Sequence, residues 1–570
     1  MESNYKAANI FSDVKVESFP RHVFDKSYTN SFTCNHGYAI PVFVDDVIPG
    51  DRIDLKSYGR IQLQPLATAS MQNIKCYIRY FYVPYRIIWE DWDKFISQDG
   101  FSTETAILAP YIVLDGNTMN TITSRYKSNS LLEYLGINFS NWSDNRFVPK
   151  ADSARLPLTL FRHLAYHKIW NRYFRDENIQ EEVQLLVNDI LPGDNTNNGL
   201  QGNSLVNFLP VAYEKDYFTT ALPWTQKGEP VSLGAFIQGI GSGTVDSTLV
   251  RFTGERPDEI VSSFWKPVIK GYSYDNEGTP SPIWSNSPQS DNVVVGDEVY
   301  MNLANPSVTI QGTSLSTSVN INELRYANAL QRYLERLALG GNRPAEFYLS
   351  MYGVKIDDLR IGDPLYLGGG STYIHVNQVT QMSESANTPL ATLAGNGVAT
   401  PSMEINEPYY CQEFGVVMGI MYLRPEINYS QGIAKETQLF GHLDYYNPVF
   451  AHLGEEPVMT SELYADSSLI IDPAHPESNN DEIFGYQSRY AYRKARRNEV
   501  HGELKSDLST WLLSANFARK PRLNSDFISV DQNYDIFAVV DENLADHYIC
   551  ELHHDYKVES SMPDFAIPSL

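Results

Sequence analysis

Long apolar runs are missing from this 570-residue sequence. The longest candidates, such as 416–423, are strand-sized, whereas a membrane span takes ~18–20 consecutive apolar residues. Cysteine is scarce. The four present, Cys34, Cys76, Cys411 and Cys550, include no Cys-x-x-Cys pair. That argues against a zinc site or a disulfide framework and suits a reducing cytoplasm. Positive charge is in the minority, with 44 Lys+Arg against 69 Asp+Glu and a net charge of −25. General affinity for nucleic acid is therefore disfavoured, and any such contact must come from a local basic patch. The opening Met1-Glu2-Ser3-Asn4-Tyr5-Lys6 has neither the basic nor the apolar stretch of a signal peptide, so no secretory leader is expected. Repeats of solenoid or propeller period are also lacking.

What is present favours strands. At 42% hydrophobic and 20% charged, the chain can bury a sizeable core. Its length allows two to five ordinary domains of ~100–200 residues. Tyr (37) and Phe (26) are plentiful beside 35 Gly and 31 Pro, a mixture suited to short strands joined by many turns. Half-buried strand patterns recur at 38–44, 53–55, 61–63 and 76–84, bounded by Pro, Gly and Asp. The fold class expected is mainly β.

Two segments depart from that pattern. Phe161, Ala165, Ile169 and Tyr173 recur every four residues within 158–186, which predicts an amphipathic helix with Pro157 in its first turn. A second helix is expected over 322–339, with Leu330, Leu334 and Leu337 on one stripe and Gly340-Gly341 then Pro344 as its stop. Between Lys227 and Ser318, Gly, Ser, Thr, Asn and Pro dominate. So long a loop inside a compact domain suggests a functional excursion, placed at 228–318.

Few motifs carry chemistry. His163 and His167 have the i, i+4 spacing of metal ligands, but Leu164 stands where a metalloprotease has glutamate, so packing is the expected role. Gly368-Gly369-Gly370-Ser371-Thr372 lacks a phosphate-binding lysine and reads as a turn. Gly239-x-Gly241-x-Gly243 has the wrong spacing for dinucleotide binding and reads as flexible loop. His553-His554-Asp555 reads as a solvated strand end, and pairs such as Asp45-Asp46 or Asp357-Asp358 do not specify acid–base catalysis. No catalytic residue, metal site or cofactor is expected. One charge pattern is informative: Arg489-Tyr490-Ala491-Tyr492-Arg493-Lys494-Ala495-Arg496-Arg497 holds five cations and no acid, and Arg519-Lys520-Pro521-Arg522 is a smaller cluster. Cations interleaved with rings suit single-stranded nucleic acid; the competing expectation is an ion-pair surface within or between subunits. The candidates for DNA contact are thus Arg489, Arg493, Lys494, Arg496, Arg497, Arg519, Lys520 and Arg522.

Longer blocks carry a resemblance. They include Gly37-Tyr38-Ala39-Ile40-Pro41-Val42-Phe43-Val44-Asp45-Asp46, Phe81-Tyr82-Val83-Pro84-Tyr85-Arg86, Ile169-Trp170-Asn171-Arg172-Tyr173-Phe174, Tyr217-Phe218-Thr219-Thr220-Ala221-Leu222-Pro223-Trp224, Ala451-His452-Leu453-Gly454-Glu455-Glu456 and Phe484-Gly485-Tyr486-Gln487. Taken in this order, they make the chain resemble, nearly end to end, the major capsid proteins of microviruses, specifically the gokushovirus-like branch of phages with circular single-stranded DNA. The resemblance implies an eight-stranded antiparallel viral jelly roll with long loop insertions and a few helices. It further implies assembly through pentamers into a T=1 icosahedral shell, with 228–318 forming an outward protrusion at the three-fold axes that aids host attachment. The implied partners are copies of the chain itself, the packaged DNA, a small basic DNA-binding protein, a minor or pilot protein and a host surface receptor, with no membrane insertion. The implied location is the virion, after assembly in the bacterial cytoplasm. The alternative is a β-rich carbohydrate-binding or glycoside-hydrolysing protein, which would need two carboxylates ~5–10 Å apart in a cleft.

Overall fold

The computed structural model describes residues 20–97, 109–115, 130–137, 142–143, 146–147, 155–183, 207–228, 250–251, 271–274, 280–283, 300–301, 321–341, 343–380, 393–465, 482–531, 533–541 and 545–563. Nine strands form the framework: β1 (His22–Asp25), β2 (Tyr28–Cys34), β3 (Ile40–Val47), β4 (Arg52–Leu63), β5 (Ile74–Pro84), β6 (Leu365–Thr380), β7 (Leu393–Ala399), β8 (Gly415–Pro425) and β11 (Tyr548–Ser560). The short strands Ser402–Glu404 and Tyr409–Tyr410 also pair with β4, and β9 (Glu455–Met459) and β10 (Ile483–Ser488) make a separate two-stranded sheet.

Eight of the nine pair, all antiparallel, in two rows. One row runs β2-β11-β4-β7 and the other β3-β8-β5-β6. Neighbours in space are seldom neighbours in sequence, as Greek-key connections require. The long β6 belongs to both rows: Leu365–Ile374 pairs with β5, and His375–Thr380 pairs with β7. β1 adds to β11 beyond β2.

Alternation in β4 explains the packing. Ile53, Leu55, Ile61 and Leu63 point inward, while Arg52, Asp54, Lys56 and Arg60 face out. The inward set meets Ile74, Cys76, Ile78, Tyr80 and Tyr82 of β5 in one core, and Phe43 of β3 packs edge-on against Tyr556 of β11 at 4.9 Å. These contacts make the two rows a jelly-roll sandwich, as the resemblance implied.

The second row is buried on both faces. Its outer side chains (Phe81, Val83, Val416, Met418, Ile420 and Tyr422) pack against Ala165, Tyr166, Ile169 and Trp170 of helix α1 (Phe161–Tyr173). β8 is accordingly an almost unbroken apolar run, the pattern of a strand with no wet face.

Three sequence expectations change here. α1 is shorter than 158–186: Arg155–Thr159 is a strand, so Pro157 lies in it rather than in a helical turn. Beyond Phe174 the chain is held in turns, with Asp176 N–H donating to Gln180 Oε1 and Asn178 N–H to Asp176 Oδ1. Residues 184–186 lie outside the described residues. Gly368–Thr372 is not a turn but the middle of β6, where a register shift puts Gly368 and Gly369 at φ of +142° and +143°. A Cβ on Gly369 would stand 2.2 Å from the Ile78 carbonyl oxygen, so the glycines permit close strand approach. His553-His554-Asp555 is not a strand end either. It lies within β11, with His554 fully buried between Tyr28 and Phe43 and its Nδ1 2.6 Å from Ser57 Oγ.

The second expected helix is α2 (Ile321–Leu339), stopped at Gly340-Gly341 and followed by α3 (Pro344–Tyr352). The chain divides into two compact units, 1–228 with 334–570, and 229–333. In the smaller unit the described strands pair as Val250–Arg251 with Tyr300–Met301 and Gly271–Tyr274 with Pro280–Ile283. Most of the expected excursion at 228–318, including Gly239–Gly243, lies outside the described residues.

Candidate assembly and nucleic-acid interfaces

Several resemblance-bearing blocks converge on a second, smaller core beside the sandwich. Phe218 and Ala221 pack with Tyr429, Val458, Leu463, Phe484, Phe527 and Ile528. Gln487 Nε2 donates to the Tyr217 carbonyl oxygen and to Thr220 Oγ1, each at 2.7 Å, and Leu222 and Tyr486 exchange backbone hydrogen bonds at 2.8 Å. Blocks far apart in sequence thus hold one scaffold, on which the β9–β10 hairpin and the basic run are mounted.

The basic run leaves β10 through Tyr490, whose φ of 62° is the one positive value outside glycine among the described residues. A single turn, Ala491–Lys494, follows. Tyr490 and Tyr492 are buried, Tyr490 edge-on against Tyr446 at 4.9 Å, and Tyr492 beneath the Lys435 ammonium at 5.5 Å from its ring centre. The sequence-based expectation that these rings offer stacking faces is therefore corrected: their faces are spent on the protein interior.

The cations divide likewise. Arg489 lies over the Phe450 and Tyr490 rings. Arg497 donates to the Glu462 carbonyl oxygen, pairs with Glu499 at 3.2 Å and lies over Phe218, while Lys520 pairs with Glu482. Glu499 is held below the usual carboxylate range, chiefly by its hydrogen bond from Arg497. Arg493, Lys494, Arg496, Arg519 and Arg522 are exposed. The segments bearing the two clusters run on either side of 428–431: Val500 N–H donates to the Tyr429 carbonyl oxygen and Ala515 N–H to that of Asn428.

On one face of the sandwich, exposed charge is matched. On the outer face of β4 and β11, Arg60 opposes Glu551, Lys56 opposes Asp555, Asp54 opposes Lys557 and Arg52 opposes Glu559. That face presents no surplus of either sign.

The other chemistry-bearing motifs are structural. His163 and His167 are buried on α1, His167 Nδ1 lies 2.7 Å from the His163 carbonyl oxygen, and burial pushes His163 down to about 3. Asp45 accepts from Lys26 and, at 2.8 Å, from the Tyr556 hydroxyl; Asp46 accepts from Arg162 and, at 2.9 Å, from the Tyr85 hydroxyl. Sequence reasoning missed one juxtaposition: Cys34 and Cys550, remote in sequence, bring their sulfurs to 3.7 Å on adjoining strands. All four cysteines are buried thiols.

Exposed apolar side chains are the remaining feature. They gather on α3, with Tyr348, Leu349 and Tyr352, and on the connection between β8 and β9, with Phe440, Leu443, Tyr445, Tyr446, Val449 and Leu453. A soluble monomer rarely keeps such clusters in water. No helix among the described residues is long and apolar enough to cross a membrane.

Comparison with known proteins agrees with this architecture. The family described as "Capsid protein (F protein)" matches residues 12–570. The chain is 31% identical to capsid protein VP1 of Chlamydia phage 1, over 99% of this chain and 98% of that protein. It is 28% identical to VP1 of Bdellovibrio phage phiMH2K and 27% identical to VP1 of Spiroplasma virus 4, in each case over 98% of this chain and 97% of the relative. Matched over nearly its whole length, the chain belongs to the F capsid protein family of the microviruses, whose role is structural rather than enzymatic.

Proposed function

We propose that copies of this chain assemble through pentamers into a T=1 icosahedral shell enclosing circular single-stranded DNA. The observation that carries this reading is α3: none of its nine residues is fully buried, although its sequence, Pro-Ala-Glu-Phe-Tyr-Leu-Ser-Met-Tyr, is largely apolar. A helix of that composition is stabilised by a surface that covers it, and a closed shell of identical subunits supplies one at every position. The excursion at 228–318 projects outward and aids attachment to a host receptor. Arg493, Lys494, Arg496, Arg519 and Arg522 face the packaged DNA, while Arg489, Arg497 and Lys520, already engaged within the subunit, support them. A small basic protein and a minor or pilot protein complete the particle, since a shell protein of net charge −25 repels phosphate on average. Assembly takes place in the host cytoplasm.

Sedimentation and negative-stain microscopy of the purified protein test this reading. Pentamers or closed shells are expected. A monomer persisting at high concentration overturns it.

A further inference from the structure

The connection between β8 and β9 is unusual in being both ordered and apolar. Over 439–453 the sequence reads Leu-Phe-Gly-His-Leu-Asp-Tyr-Tyr-Asn-Pro-Val-Phe-Ala-His-Leu, with no Lys or Arg and one carboxylate. That carboxylate, Asp444, is spent locally, accepting from the Phe440 and Gly441 N–H groups at 3.1 and 2.7 Å. Asn447 accepts from Val449 N–H at 3.0 Å and caps the turn Pro448–Phe450.

The base of the loop is fixed from both ends. Before it, Lys435 Nζ lies 3.5 Å from both Glu456 Oε1 and Glu462 Oε1 and donates to the Pro457 carbonyl oxygen at 2.9 Å. Within it, Asn447 N–H donates to the Tyr490 hydroxyl at 3.3 Å, and after it Arg489 N–H donates to the Gly454 carbonyl oxygen. With the back so tied, the front stands in solvent: Phe440 is 91% exposed, Val449 78%, Leu453 61%, Leu443 56%, Tyr445 53% and Tyr446 52%.

We infer that this loop is a subunit–subunit contact, seated on a second copy of the chain. The inference rests on the assembly reading and adds to it the residues that make the contact. Weighted by exposure, the three aromatic side chains offer about 300–500 Å² of surface, taking ~150–250 Å² for a whole aromatic side chain, and Leu443, Val449 and Leu453 add to it. Each partner in an ordinary stable interface contributes ~800 Å². Charge selects among occupants. Nucleic acid requires cations, and a basic helper protein requires free carboxylates; the loop has neither. Depletion of charge with enrichment of Tyr and Phe is the composition of an interface core. Because five- and three-fold closure joins unlike patches, the loop of one copy meets a different surface of the next.

Thiol labelling tests the assignment, because all four native cysteines are buried. In V449C, maleimide should react at least tenfold more slowly in assembled shells than in free subunits. Equal rates overturn the inference; if V449C does not fold, L453C is measured in the same way. Separately, F440S combined with V449S should keep the thermal unfolding temperature of the free subunit while raising at least tenfold the concentration at which shells form. Shell formation at the wild-type concentration removes the loop from the interface and leaves the assembly reading intact. Failure of the wild-type chain to form shells removes the assembly reading itself.

Discussion

His36, His163 and His554 illustrate how a residue's role is set by its surroundings. All three are buried, and burial lowers them to about 3, about 3 and about 4 respectively, so each is neutral in the fold. In the unfolded chain they titrate near ~6.5. A base whose folded pKa is depressed contributes fully above the unfolded value, and its contribution falls as pH drops through the window between the two. Free-subunit stability should therefore decline from pH 7 to pH 5, by about 2 kcal/mol per histidine at pH 5. Urea unfolding, above the carboxylate range, should show proton uptake by these three histidines rising from under one proton at pH 7 to about 2.7 at pH 5.5. H163Q should remove one histidine's share of that uptake. A pH-independent midpoint across that range would refute the assignment. None of this is legible from His163-x-x-x-His167 or His553-His554 as strings, because helical or strand spacing specifies a face and not what covers it. The glycines of β6 make the same point: as a run they suggest a turn, and only the approach of the Ile78 carbonyl explains them.

At the scale of elements, period was a reliable guide and boundaries were not. The inward residues of β4 follow from alternation and the existence of α1 from apolar recurrence every four residues, but α1 begins four residues after Pro157 because Arg155–Thr159 pairs with Tyr111–Asp115. The basic run is the element where local reading and tertiary packing part most clearly. Its five cations are equivalent in sequence, yet Arg489 and Arg497 are absorbed into the subunit while Arg493, Lys494 and Arg496 are exposed. Replacing the latter three with Gln should leave particle yield unchanged and lower DNA retention in high salt. The salt dependence of DNA binding should weaken by about two units of log–log slope, given ~0.7 per phosphate contact on a single strand. R497Q should instead destabilise the subunit by about 1–3 kcal/mol, since it removes the charge-assisted bond to the Glu462 carbonyl and the pairing with Glu499. Unchanged DNA retention in the triple variant would reject the DNA role.

For the whole molecule, the proposed assembly makes the sandwich the body of the shell and the excursions its contacts. Deleting 229–318 and joining the ends with a short Gly-Ser linker should give shells at normal yield that adsorb to host cells at least tenfold less well, measured by particle depletion from the medium. Loss of shells would make the segment a clamp between subunits instead.

By itself the sequence determined a β-rich, turn-rich chain with a large core, a local basic run and the ordered blocks that mark its family. Such properties depend on neighbours a few residues apart, where alternation, turn chemistry and composition act directly. Tertiary structure alone decided that Cys34 meets Cys550, that Lys520 is taken by Glu482, that Tyr490 and Tyr492 turn inward and that Phe440, Leu443, Val449 and Leu453 stand exposed. Those outcomes depend on which distant segments the strand order brings together, and a side chain's burial, charge state and availability follow from that meeting rather than from its own chemistry.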